Sequence, residues 1–208
     1  MSQKKLITLF ENHFWRELAL VYPPNEIVQN LSFRDSLLAA YCLLYNDQWD
    51  ENLQEYAVKL FCEIQRVYPE DWNRSWEFDA LLGMAYDITL KYDERYQAYK
   101  KAFDRTKSPP PGLLIELAQC CICPGSPPIS YDQAIDLIVL AMKDQLYTDG
   151  ISVLCNIYSI KEDQKMKKYW TDVLETLPPQ ATSPSIVPAF LVQEYLKILQ
   201  EKKNSERL

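Results

Sequence analysis

WEFDALLGMAYDITLKYDERYQAYKKAFDRTK, residues 76–107, is the stretch whose reading decides the fold. Leu82, Ala85, Tyr86, Thr89 and Leu90 recur at steps of three and four, and Tyr96, Tyr99, Ala102 and Phe103 do the same after a short polar break. That spacing puts an apolar stripe on one face of each of two helices. Gly83 lies inside the first. A glycine in a helix interior costs about 1 kcal/mol against alanine. Its presence predicts a neighbouring helix passing where no side chain fits, and Ala102 is expected to serve the second helix in the same way. Asp93 and Glu94 open the second helix, where carboxylates suit the free N–H groups and the helix dipole. Ser108 and the prolines at 109–111 close it, because a residue before proline is pushed out of the helical region.

Trp76, Leu82, Gly83, Tyr86, Tyr99 and Ala102 match, without a gap, the W, L-G, Y, aromatic, A pattern of a tetratricopeptide repeat, so the stretch resembles that family. Arg95 departs from it. It stands where the family carries a small residue at the helix crossing, which implies looser packing there or a register shifted by one residue. Fainter copies flank the central one. Upstream, a helix over 33–45 pairs with one carrying Ala57, Phe61, Ile64 and the terminal Pro69. Downstream, Leu117 and Ala118 take the L-G positions, and Ala134, Ile138 and Ala141 follow after an insertion. Leu154, Cys155 and Tyr158 then lead into Met166, Trp170, Val173 and Pro178. Residues 33–178 thus read as about four degenerate helix pairs at a period of roughly 34 residues.

Each pair of such an array buries its apolar face against its neighbours. Residues 1–208 are therefore read as one all-α domain. The resemblance implies a right-handed α-solenoid of antiparallel helix pairs, capped by an N-terminal helix over 3–24 and a C-terminal helix over 185–203. Leu6, Leu9, Phe10, Phe14, Leu18 and Val21 share the face of that first helix, and Tyr22, Pro23 and Pro24 end it. Ser32 suits the N-cap of the helix after it, and Pro111 suits the first turn of a later one. CPGSPPISY, residues 123–131, is expected to protrude as a loop, with Ser130 and Asp132 capping the next helix. That helix, over 131–144, carries Ile135, Leu137, Ile138, Val139 and Leu140, a pattern expected of a helix covered on most sides. Lys161, Lys165, Lys167 and Lys168 read as a solvated face. PPQATSPSIVP, residues 178–188, reads as a linker. The last helix, with Phe190, Leu191, Tyr195, Leu196 and Leu199, either caps the array or folds into its groove.

Composition narrows the function. Only 4 glycines and little β-branched alternation argue against a sheet protein, and 48% apolar residues suffice for a core. The net charge is −7, and residues 46–95 hold 12 acids against 5 bases. Phosphate contacts need cations, so no nucleic acid is expected as partner. A basic or amphipathic protein segment fits better. No run approaches the roughly 18 apolar residues of a membrane span, and Glu11, Asn12 and His13 break the short apolar run after Lys4 and Lys5, so no signal peptide is expected. The six cysteines lie on apolar helical stretches and read as reduced, buried residues of a cytoplasmic protein. The Cys120–Cys123 cluster lacks a second ligand pair at zinc spacing, and His13 is the only histidine. No phosphate loop, nucleophile elbow or Glu-x-x-His pair occurs. No metal, cofactor or enzymatic activity is expected.

What the resemblance implies is a concave face, built by the first helix of each pair, that binds a peptide or helical segment. Here it would carry Arg34, Leu37, Tyr41 and Tyr45, then Glu77, Ala80, Met84 and Asp87. Ile115, Glu116, Gln119, Ser152 and Asn156 would continue it. Glu77, Asp87 and Glu116 stand in the region where chaperone-binding members place a cationic clamp, so a clamp for an acidic C-terminus is not expected. The chain reads as a protein–protein adaptor, monomeric or homodimeric. Two alternatives stay open: a chaperone like those of type III secretion translocators, and a helical scaffold whose groove is filled by its own last helix.

Overall fold

A computed structural model describes residues 3–46 and 49–205, with the side chain of Ser205 excepted. Among these residues there is no strand. The helices are α1 (Gln3–Glu11), α2 (Trp15–Val21), α3 (Pro24–Asn30), α4 (Phe33–Leu44), α5 (Glu51–Val67), α6 (Pro69–Trp72) and α7 (Glu77–Ile88). They continue with α8 (Tyr92–Arg105), α9 (Pro111–Gln119), α10 (Tyr131–Ala141), α11 (Thr148–Ile160), α12 (Gln164–Thr176) and α13 (Ala189–Ser205). A 3₁₀ turn, Cys120–Ile122, follows α9. The chain is all-α, with sequence-adjacent pairs α4–α5, α9–α10 and α11–α12 packed side by side.

The chain divides into two compact units. The first runs to Leu90 and takes up the chain again from Val187; the second is Lys91–Ile186. The division falls in the turn of the stretch read above as the central pair, and that reading treats 1–208 as one body.

In the first unit, the expected single helix over 3–24 is broken. His13 sits at φ 59°. Phe14 N–H donates to the Leu9 carbonyl at 2.9 Å and His13 N–H to the Phe10 carbonyl at 3.0 Å. These two bonds form a Schellman closure that satisfies the last carbonyls of α1. Pro23 and Pro24 then do not simply end a helix, because Pro24 starts α3, where its missing N–H is harmless. α4 packs on α5 through Leu37, Leu43, Leu44, Leu60, Phe61 and Ile64, all fully buried. Ser32 caps α4 by accepting from Asp35 N–H. Tyr68 donates its hydroxyl to the carbonyls of Val28 and Leu31 at 3.1 and 3.0 Å, and Tyr56 donates to the Tyr22 carbonyl, so α5 is tied to the ends of α2 and α3. Asp79 on α7 is 1% exposed and accepts from Trp72 Nε1 at 2.8 Å and Gln65 Nε2 at 3.3 Å. A buried carboxylate needs such donors to offset its lost hydration. Leu90 does not join the apolar stripe: α7 ends at Ile88, and Leu90 stands at φ 58°, 68% exposed.

In the second unit, Leu114, Ile115, Ala118, Ile138, Ile151, Leu154 and Ile157 form the core between α9, α10 and α11. α12 has no fully buried residue and leans on that core through Trp170, Val173 and Leu174. Ser130 and Gln133 form a reciprocal capping box at the start of α10. The stretch read as a linker is docked. Thr148 N–H donates to the Ala181 carbonyl at 2.8 Å, and Ser183 N–H to Asp149 Oδ1 at 3.1 Å. A Cβ at Gly112 would lie 2.3 Å from the Pro184 carbonyl oxygen. Gly112 is therefore a place where this unit needs a residue without a side chain; in the first unit, Gly83 on α7 is buried.

α10 corrects a further expectation. Only Ala134, Ile138 and Ala141 are buried along it. Val139 is 57% exposed and Leu140 56%. The helix packs mainly on the side met by α9 and α11, Ile135 and Leu137 are partly buried against the same core, and Val139 and Leu140 face water.

Candidate partner-binding surfaces

The first unit places three of the residues expected to bind a partner beneath α13. Tyr195 donates its hydroxyl to the Tyr45 carbonyl at 2.7 Å. The Tyr41 ring stands 4.8 Å from that of Tyr45 and meets Tyr195 edge-on at 5.4 Å. Arg34 stacks on the Phe190 ring at 4.6 Å and reaches Glu194 Oε1 at 3.7 Å. Leu191 and Ile198 complete the buried side of α13. This is helix-in-groove packing made within one chain, with large anchors one turn apart. Burial pushes the Tyr41 phenol up to about 12, with Tyr195 adding to the effect.

Beside this contact the same unit opens a cavity of about 680 Å³, lined by Trp15, Arg16, Cys42, Tyr45, Tyr195 and Lys202 among others. His13 stands at its wall, stacked on Trp15 with ring centroids 5.5 Å apart. Burial holds the His13 imidazole below its usual value; Glu201 opposes this, and Lys202 and Lys197 reinforce it. The left-handed turn that breaks the N-terminal helix is what places His13 here. Glu77 accepts from the Ser75 hydroxyl at 3.0 Å, and Met84 and Asp87 lie half-buried on α7.

The second unit holds the open surface. Tyr96, Phe103, Leu117, Ile129, Leu137 and Leu140 line a groove of about 350 Å³. Its rim carries Lys100, Gln133 and Asp136. Lys100 is engaged with Asp104 at 2.6 Å, and Gln133 is used in the capping box. Sequence reading missed this groove. The available signal was the unbroken Ile138–Val139–Leu140 run, too wide for one packed edge.

Of the expected second-unit residues, Glu116 accepts from the Tyr99 hydroxyl at 3.3 Å, Gln119 offers its backbone carbonyl to Arg95 at 3.3 Å, and Asn156 is exposed on α11. Arg95, the departure from the repeat pattern, is buried, and its Nη2 lies 2.7 Å from Cys123 Sγ. All six cysteines are free thiols. Burial pushes Cys120 up to about 12 and Cys121 up to about 11. Among the described residues no three His, Cys, Asp or Glu side chains are gathered to hold a metal ion, and no helix is long and apolar enough to cross a membrane. The chain matches no protein-family model and no curated protein.

Proposed function

We propose that the chain is a protein-interaction scaffold that holds an amphipathic helical segment of a partner protein in the groove of its second unit. The observation that carries this reading is the exposed apolar groove of α8, α9 and α10, with Leu140 more than half exposed at its edge. Apolar surface gains about 25 cal/mol for each Å² removed from water, so two or three seated leucine-sized anchors supply several kcal/mol. Asp136 on the rim, and the net charge of −7, favour a partner with basic residues beside its apolar stripe. The finer architecture we propose is a right-handed solenoid of tetratricopeptide-like pairs, working in the cytoplasm as an adaptor rather than as an enzyme.

A photo-crosslinking residue placed at Leu140, with Tyr169 as a control position, tests the reading in the full chain. A discrete partner should crosslink from 140 and not from 169. A synthetic peptide of the crosslinked segment should bind the parent chain and bind Leu140→Asp at least tenfold more weakly. A peptide that binds both chains equally removes the groove from the proposal.

A second reading rests on the Tyr195–Tyr45 bond. In the first unit, the face carrying Arg34, Tyr41 and Tyr45 is already occupied by α13, so that face is a filled structural contact and not a second partner site.

A further inference from the structure

The cavity of about 680 Å³ in the first unit has a graded wall. Its floor is apolar and covered: Cys42 on α4, Leu53 on α5 and Ile198 on α13 are all buried. Rings form its sides. Trp15 is buried, held edge-on by Phe10 and stacked by His13, each with ring centroids 5.5 Å away. Tyr45 and Tyr195 add two more rings, 6.3 Å apart. The rim is polar and exposed: Glu11 and Glu17 flank the turn between α1 and α2, and Glu201 comes from the far end of α13. An apolar, ring-sided cavity of this size with a few polar groups at its mouth is the usual form of a small-molecule site. The polar groups on the wall decide the charge of the molecule it takes. The amides of Asn12 and Asn46 are spent on the carbonyls of Thr8 and Leu43. Arg16 reaches Asp50 at 3.7 Å, and Lys202 is not free either. Burial holds the His13 imidazole below its usual value, so it adds little positive charge at neutral pH. Among the described residues no hydrogen bond or ion pair engages the carboxylates of Glu11, Glu17 and Glu201. Exposed carboxylates alone are surface charge; here they rim a cavity whose sides are aromatic. Ring faces and carboxylates attract the same kind of ligand, a cation. An anion would meet three carboxylates, and bases that already have partners.

We propose that this cavity is a binding site for a small organic cation, an amine or quaternary ammonium carried on an apolar body. The body lies on the floor against Leu53 and Ile198, between the aromatic sides. The cationic head stays at the rim beside Glu17 and Glu201, where it keeps part of its hydration. The site is separate from the groove of the second unit, so neither reading depends on the other.

The test uses the chain's own reporter. His13 is the only histidine, so the Hε1 signal of its ring in proton NMR of the full chain reports on this cavity alone. The probes are phenethylamine and benzyltrimethylammonium as cations, with hydrocinnamate as an anion of similar body, all titrated at one neutral pH and one salt concentration. Both cations should move the His13 signal saturably, and hydrocinnamate should bind about tenfold more weakly than phenethylamine. The double variant Glu17→Gln/Glu201→Gln changes two exposed side chains and should keep the melting temperature of the parent. It should bind both cations about fivefold more weakly and hydrocinnamate no more weakly than before. Three results overturn the proposal. One is the absence of a saturable shift with either cation in the millimolar range. Another is hydrocinnamate binding as tightly as phenethylamine. The third is an unchanged cation affinity in the folded double variant. The first two are read on the parent chain, so they stand whether or not the variant folds.

Discussion

The hydroxyl of Tyr195 donates to the backbone carbonyl of Tyr45 at 2.7 Å, joining residues 150 apart in the chain. Tyr45 ends α4, so its carbonyl is one of the last of that helix, left without a helical N–H to accept from. α13 supplies the missing donor and lays Leu191 and Ile198 on the same face. The first unit therefore includes its own C-terminal helix as a structural part.

Removal of that helix should be costly. Tyr195→Phe loses one hydrogen bond, and the urea midpoint should fall by the equivalent of about 0.5–1.5 kcal/mol. A chain ending at Pro184 uncovers Tyr41 and loses four buried aliphatic side chains, Ile186, Val187, Leu191 and Ile198, each worth roughly 1.5–3 kcal/mol. Its melting temperature should fall by several degrees, and it should bind more of a hydrophobic dye than the full chain does. An unchanged melting temperature on truncation would make α13 a loosely held arm.

Two glycines of the second unit should respond differently to a methyl group. At Gly112 the new Cβ would lie 2.3 Å from the Pro184 carbonyl oxygen, a backbone atom that cannot step aside alone. At Gly150 the nearest atoms are Ile115 Cδ1 at 3.1 Å and Met142 Sδ at 3.3 Å, both toward the ends of flexible side chains. Gly112→Ala should destabilise by about 1–3 kcal/mol. Gly150→Ala should cost less, because alanine also favours the helix by up to about 1 kcal/mol. Urea unfolding of the two variants compares them directly, and equal midpoints would mean that residues 183–186 are not docked at Gly112.

Stability should fall on the alkaline side. Tyr41 is raised from 10.0 to about 12, Cys120 from 9.0 to about 12 and Cys121 from 9.0 to about 11, with burial the leading cause in each; Tyr56 is also raised. These acids keep their protons longer in the folded chain than in the unfolded one. Their contribution is whole below the unfolded values and is lost as pH rises from 9 through 12. His13 acts at the other end. Its lowered value means that the unfolded chain takes up the proton first, so stability falls as pH drops through 6.5. Urea midpoints should be highest near neutrality, lower at pH 10.5 and slightly lower at pH 5.5. A midpoint unchanged at pH 10.5 would place these phenols and thiols in water.

Much of the helical framework was legible. Ser32 before an apolar run, Pro111 at a helix start, Ser130 just before a helix, and the three- and four-residue spacing along 33–44 and 92–105 are local signals. The backbone obeys such signals because capping and φ restriction act within a few residues. The break at His13 was not legible, since the Schellman closure uses backbone groups alone and histidine gives no local mark of a left-handed turn. The candidate surfaces were legible only in part. Tyr41 and Tyr45 were read as facing a partner, and they do face a helix, but it is the chain's own. The groove of Phe103, Leu117, Ile129 and Leu140 draws on α8, α9, the loop before α10 and α10 itself. No spacing within one segment encodes that meeting.

By itself the sequence determined that the chain is all-α, where most helices start and stop, and that many apolar positions would be covered. Helical hydrogen bonds and caps are short-range, so short stretches suffice to specify them. Only the tertiary structure decided which apolar faces found a partner. It left Leu140 in water and α13 on Tyr41, it brought the Pro184 carbonyl against Gly112, and it set Arg95 beside Cys123. These contacts depend on which segments meet across 28 to 154 residues of chain, and that choice is made by the packing of the whole unit at once.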